Sequence, residues 1–299
     1  FIRHLLALCY AKSRSNSNLF ISCLFNLSHL IFMSAWVRIA YYQFQIKRLN
    51  IMMDIIAADQ RHFSDYGWLQ TYWLFSFSNY YDPHNIQFGA LRVFNDDVVA
   101  PGTGFPTHPH EEMEIITIVL DGEMTHEDSM GNKTVIKAGD VQRMSAGTGL
   151  THSEFNLAKD PVHFYQIWIF PDQKGLTPSY DQKSFKDQDW SNCLLPVASG
   201  QGIEGTVTFH TDATIYRGAL DPGSTVSHTV KPGRRIFVYL TQGEIVVNDH
   251  LLKAKEQARI DIEGSLSFTG QARSEFILID VPSCKGWGYD KKTLDGGKA

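Results

Sequence analysis

Residues 114–120 read Glu-Ile-Ile-Thr-Ile-Val-Leu, and Asp121-Gly122 follow at once. An apolar run this short, rich in Ile, Val and Thr, has the length and β-branched content of a strand, and Asp-Gly closes it as a turn. The same grammar continues outward on both sides. Residues 134–137, 163–170, 235–240 and 275–281 are further short runs, punctuated by Met130-Gly131-Asn132, Ala138-Gly139-Asp140, Gln242-Gly243 and Val247-Asn248-Asp249. No long helical period separates them, and residues 51–63 begin at most with a turn or strand. The pattern predicts an all-β sandwich or barrel rather than βαβ units.

The chain also repeats itself. Pro101-Gly102 is followed twenty residues later by Gly122-Glu123, and Pro222-Gly223 is followed twenty residues later by Gly243-Glu244. Lys137-Ala138-Gly139-Asp140 then matches Lys253-Ala254-Lys255-Glu256 across a loop shorter by five residues. Two β-domains on one plan are expected, the first over residues 53–180 and the second over 190–290. The polar stretch 171–192, with Pro178 and many charges, reads as the link between them.

Charge sets the N-terminal segment apart. The 299 residues carry 27 Lys and Arg against 32 Asp and Glu, but the first acid is Asp54 and six of the basic residues precede it. Removing that segment leaves 21 basic against 32 acidic residues, a net of −11. An acidic body of this kind repels phosphate backbones, so direct nucleic-acid binding is not expected. Residues 1–52 are excluded from the fold as an N-terminal extension. Three readings stay open for them: unstructured sequence outside the natural start, a targeting peptide, or a membrane anchor. Residues 19–37 carry no formal charge, yet Ser22, Asn26, Ser28, His29 and Ser34 interrupt them, which makes insertion marginal. A cytoplasmic location is expected for the body, with a nuclear one or targeting by the extension left open. The four cysteines, Cys9, Cys23, Cys193 and Cys284, form no CxxC pair and no dense framework. Cys193 and Cys284 are expected as reduced, buried thiols.

Two histidine-containing pairs carry the chemistry. His108-Pro109-His110 and His152-Ser153-Glu154 each place two potential ligands at i and i+2. On a strand such residues project from one face, so both segments lining one barrel would converge three imidazoles and a carboxylate. That donor set suits a divalent first-row ion such as Fe(II), Mn, Co, Ni or Cu, and not a thiolate zinc site. His126, which precedes Glu127 and Asp128, is expected at the surface or behind the ligands. His62, Trp68 and Trp73 are expected to pack in the core. Gly147-Thr148-Gly149 follows no strand-to-helix fingerprint and is not read as a phosphate cradle.

These residues sit in a wider pattern. Gly102-x5-His108-x-His110, then Glu114 and Gly122, resembles the first cupin motif. Gly139-x5-Ser145, then Gly147, His152 and Asn156, resembles the second. The string Gly-Asp-Val-Gln-Arg-Met-Ser-Ala-Gly-Thr-Gly over residues 139–149, with Thr-His-Ser-Glu-Phe-Asn over 151–156, resembles the pirin family. So do Phe-Gly-x-Leu-Arg-Val over 88–93 and Phe-Ser-Phe-Ser-Asn-Tyr-Tyr-Asp-Pro over 75–83.

The resemblance covers about residues 53–282 and implies two jelly-roll-like cupin barrels packed face to face. The first would hold one metal ion, iron(II), through His108, His110, His152 and Glu154. Glu114 would not be a ligand, and the second barrel would be metal-free. In the ungapped repeat Thr229 and Lys231 stand where His108 and His110 stand, and His228, one residue off, is expected to face the wrong side. Glu111-Glu112 follows His110 where similar proteins commonly have a basic residue. Two functions are implied: a dioxygenase opening flavonols such as quercetin with dioxygen, Glu154 being ligand and base, or an iron-dependent redox regulator that binds a protein partner. The family expectation is a monomer.

Overall fold

Leu91–Val99 shows how the walls are built. Leu91, Val93, Asn95, Asp97 and Val99 alternate with Arg92, Phe94, Asp96 and Val98, and most residues on both faces are buried. A strand covered on both sides has to lie between two packed layers. The computed structural model describes residues 53–283. The readings made for residues 1–52 and for Cys284 lie outside the described residues.

The first half pairs a large sheet with a small one. The large sheet runs β12 (Ser179–Ser184), β9 (Asp140–Ser145), β6 (Glu114–Asp121), β11 (Val162–Ile169), β4 (Leu91–Val99), β3 (Leu69–Trp73), β2 (His62–Asp65). The small sheet runs β5 (Gly104–His110), β10 (Leu150–Phe155), β7 (Glu123–Asp128), β8 (Lys133–Lys137). The second half repeats the plan. Its large sheet is β1 (Met53–Ile56), β20 (Gln257–Ile260), β17 (Arg234–Gln242), β22 (Ser274–Pro282), β15 (Thr214–Leu220), β13 (Cys193–Ser199), β14 (Val207–Thr208). Its small sheet is β16 (Thr225–Val230), β21 (Gly264–Gly270), β18 (Glu244–Val247), β19 (His250–Lys253). The duplicated glycines have a conformational cause. Gly102 and Gly223 turn with φ of +71° and +82°, and Gly122 and Gly243 with +76° and +84°, the region a side chain disfavours.

Two expectations about the boundaries are corrected. β12 falls inside the stretch read as a link; it is an edge strand of the first large sheet, paired to β9 from Ser179↔Ser145 to Ser184↔Asp140. Its polar sequence disguised it, because an edge strand needs no apolar alternation to pair. β1, assigned to the first domain, belongs to the second: it pairs with β20, and Met53 lies in that half's core. Four residues, three of them apolar, cannot announce which of two barrels they will close. Cys193 is half-buried, with its thiol against the Asp189 carbonyl, and not enclosed. Among the described residues no helix is long and apolar enough to cross a membrane.

The two large sheets face each other. Phe94 packs on Tyr165, Phe237 and Tyr239 with ring centroids 5.0, 5.4 and 5.1 Å apart, within a core that joins both halves. Asp96, two residues after Phe94 and on the same face of the strand, is buried in this seam. Its carboxylate lies 2.6 Å from His163 Nε2, accepts the Tyr239 hydroxyl at 2.7 Å and accepts Lys255 Nζ at 3.2 Å. Burial alone would raise the Asp96 pKa, but the His163 hydrogen bond, Lys255 and Tyr239 outweigh it and hold the group at about 2. A carboxylate depressed in the folded state stabilises it above the unfolded pKa, by roughly 2 kcal/mol for such a shift. Asp96→Asn is therefore expected to lose stability of that order at neutral pH. Chemical denaturation at a series of pH values should show wild type and variant converging as pH falls from about 4 toward 2.

Candidate metal centre

β5 and β10 lie side by side, with His152 opposite His108 and Leu150 opposite His110. β5 is an edge strand, so Pro106 and Pro109 remove no ladder bond that the sheet needs. The i, i+2 spacing brings together three of the four donors expected from the sequence: one ligand nitrogen from each of His108, His110 and His152 falls within a 4.8 Å group. His108 Nε2 and His152 Nε2 are 3.0 Å apart. His108 and His110 are half-buried, while His152 is buried.

Glu154 is placed differently from its three companions. It is 2 % exposed, accepts Gln166 Nε2 at 3.1 Å on Oε2, and has Oε1 buried without a partner. Its carboxylate groups within 4.8 Å with His152 and His126, an inner donor set that shares His152 with the outer one. A carboxylate oxygen buried and unpaired is costly unless a proton or cation satisfies it.

The barrel interior is layered around this point. Val99, Val119, Val162, Phe164, Leu69, Met124 and Ile136 form an apolar floor. One step up the same strands come Asp97, Thr117, Gln166 and Thr71, all buried. One further step reaches Trp168, whose ring meets His110 edge-on at 5.0 Å and Phe77 at 5.3 Å.

Burial governs the electrostatics. It pushes the His110 imidazole down to about 3, helped by His108. It drives His152 lower still, with His110, His108 and His126 adding to the effect. Burial raises Glu154 to about 8, with Asp97 adding and the Gln166 bond opposing. Asp97 itself rises to about 7 through burial. Neutral imidazoles are the ligating form, and a carboxyl that holds a proton this tightly is a carboxylate that would welcome a cation in its place. His108 Nδ1 lies 2.8 Å from the Pro106 carbonyl, so that nitrogen carries the proton and Nε2 is free to ligate. The residues present therefore fit a divalent first-row ion.

Other expectations meet the structure in detail. Glu114 turns to Ser145 Oγ at 2.7 Å and lies 3.2 Å from His210 Nδ1, outside both donor groups. Glu111 is exposed, whereas Glu112 accepts the Gly175 N–H at 2.8 Å with φ of +52°. Trp73 is buried, Trp68 packs partly buried against the apolar floor, and His62 stacks between Trp73 and Tyr80 at 5.2 and 4.3 Å. Gln166, Asp97 and Trp168 were missed. Gln166 had a signal: it interrupts the apolar run 163–170 at the same parity as Phe164, so it had to point into the barrel.

The second half corrects one sequence argument. The observed register sets His228 opposite Leu266, Val230 opposite Gly264 and Val226 opposite Phe268. Superposed on β5 and β10, His228 stands at the His108 position, Val230 at His110, Leu266 at His152 and Phe268 at Glu154. His228 thus points inward, where it meets Asp280 Oδ2 at 2.9 Å, and Thr229 points out. The ungapped repeat was off by one because the bulge between His152 and Glu154 gives β5 a residue that β16 lacks. Three of the four positions are apolar, so the second half keeps one donor.

Comparison with known proteins agrees with this architecture. The Pirin family model matches residues 56–169, and the model of the quercetinase C-terminal cupin domain matches residues 196–281. The chain is 40% identical over 232 residues to a quercetin 2,3-dioxygenase of Escherichia coli K12, covering 77% of this chain and 99% of the relative. It is 41% identical over 231 residues to a pirin-like protein of Caulobacter vibrioides, covering 77% and 100%. Among solved structures, the E. coli bacterial pirin YhhW in complex with nickel(II) superposes with a TM-score of 0.74 at 39% identity, covering 78% of this chain and all of that one. With two cupin barrels, the matching family models and relatives aligned end to end, the chain belongs to the pirin family.

Proposed function

We propose that this chain is a metal-dependent dioxygenase that opens flavonols such as quercetin. The observation that carries the reading is the set of three imidazole nitrogens, one of them shared with a second donor group that includes an unpaired buried carboxylate oxygen. His108, His110, His152 and Glu154 would hold the ion, for which iron(II) is our first choice. The E. coli relative solved in complex with nickel(II) supports the choice of a divalent first-row ion. When bound, the ion supplies Lewis acidity and redox chemistry toward dioxygen.

The chain's own residues do the rest. Trp168, edge-on to His110 and against Phe77, offers an apolar aromatic wall beside the donors that suits a planar polyphenol. Glu154 is the base for the flavonol 3-hydroxyl proton. With the ion in place of its own proton Glu154 is a carboxylate that can accept the hydroxyl proton, and the Gln166 N–H fixes one oxygen so that the other is presented. Dioxygen then adds both atoms to the ring, which opens to an ester with release of carbon monoxide, and Glu154 returns its proton to the product. The buried floor and polar layer beneath keep bulk water from the carboxylate.

The reading is tested by loading the purified chain with iron(II) or nickel(II) and following quercetin absorbance, oxygen uptake and carbon monoxide together. Loss of absorbance with matched uptake and release is expected, and unchanged quercetin in air would contradict it. Glu154→Gln should cut turnover by about 100-fold or more, the scale of a lost general base. His108→Ala should lose the ion by elemental analysis. His228→Ala in the second half should leave metal content at one ion per chain.

A further inference from the structure

His126 and Asp128 lie behind the donor set, and neither belongs to the ligands proposed above. They sit at i and i+2 on β7, with Glu154 opposite His126 and His152 opposite Asp128 in β10. Both side chains are fully enclosed. Asp128 is fixed by the turn that follows it: Oδ1 accepts the backbone N–H groups of Met130 and Asn132 at 2.9 and 3.1 Å, and Oδ2 accepts Asn132 Nδ2 at 2.8 Å. Oδ2 also lies 3.2 Å from His126 Nε2, and His126 Nδ1 lies 3.4 Å from His152 Nδ1.

Hydrogen-bond bookkeeping along this chain has one direction. A carboxylate surrounded by N–H donors is an acceptor, so His126 Nε2 carries the proton it donates to Asp128. In a neutral ring the other nitrogen, Nδ1, is then bare, so it accepts from His152 and the proton lies on His152 Nδ1. His152 Nε2 is left with a lone pair, facing His108 Nε2 at 3.0 Å. The Pro106 carbonyl has already made that second nitrogen bare. Two lone pairs at this distance repel unless a cation lies between them. Tyr180 closes the back of the chain, its ring 5.0 Å from that of His126. In the second half, where three donors are replaced, Val247 stands opposite Phe268 as His126 stands opposite Glu154, and there is no such chain.

We propose that Asp128 and His126 are positioning residues that lock His152 into the Nδ1–H tautomer and so aim its Nε2 lone pair at the metal. The proposal rests on the metal-centre reading given above. It also decides between the two overlapping donor sets: His126 serves the outer set through His152 and is not itself a ligand.

The test begins with the unaltered, metal-free chain labelled with 15N. Long-range proton–nitrogen spectra are expected to show His152 protonated at Nδ1 and bare at Nε2, and His126 the reverse. In His126→Phe, which keeps the ring volume beside Tyr180, His152 should revert to the Nε2–H form that an unconstrained imidazole prefers. Nickel(II) affinity, measured by competition with a chelator, should fall about 10- to 100-fold in His126→Phe and in Asp128→Ala. Circular dichroism shows whether each variant keeps its strands; if one does not, the spectra of the unaltered chain still decide. Wild-type chain that binds no nickel would sink the metal reading, whatever the tautomers. Wild-type chain that binds nickel with His152 protonated at Nε2 beforehand, or with His126 as a direct ligand, would overturn the relay and leave the metal reading standing. Folded variants with unchanged affinity would overturn it as well.

Discussion

Burying imidazoles and carboxyls together in a barrel obliges the protein to give each polar atom a partner. In the first half part of that obligation is met by neighbouring side chains and a backbone carbonyl. Pro106 satisfies His108, Gln166 one oxygen of Glu154, and Asp128 the far side of His126. Among the groups left without a protein partner is Oε1 of Glu154, in the inner donor set, which shares His152 with the outer set of three imidazoles. The rest of the interior serves this imbalance. An apolar floor excludes water below, a polar layer holds the donors, and Trp168 crowds the ring of His110 above.

The duplicated half shows the same scaffold without the imbalance. Val230, Leu266 and Phe268 fill the places of His110, His152 and Glu154, and its interior is one continuous apolar cluster. The retained His228 is absorbed by an ion pair, Asp280 bonding both it and Arg234. One plan therefore gives a donor-lined barrel and a packed one. The packed barrel presents its large sheet to the donor-lined one through Phe237 and Tyr239, and Tyr239 completes the shell of Asp96. The wall that carries Asn95 and Asp97 inward is held from outside by the other half.

Most of the fold was legible in the sequence because short β-branched runs and paired glycines are local signals. The three histidines were legible for the same reason, since a two-residue spacing fixes a common face on any strand. The failures were of non-local origin. β12 is polar because it lies at an edge, β1 crosses to the other half, and the bulge in β5 shifts the repeat by one residue. Asp128 and His126 carried the i, i+2 spacing too, but nothing local distinguishes a ligand from the group behind it. That distinction depends on which strand lies in the middle of the small sheet.

The central claim is that His108, His110, His152 and Glu154 of the first barrel hold one ion. Diffraction at the absorption edge of a bound metal tests it most directly, because the anomalous peak locates the ion independently of the chain tracing. The account predicts a single peak bonded to the Nε2 atoms of His108 and His152, a His110 nitrogen and a Glu154 oxygen. A peak elsewhere, on His126 in place of His108 and His110, or in the second barrel, would contradict it.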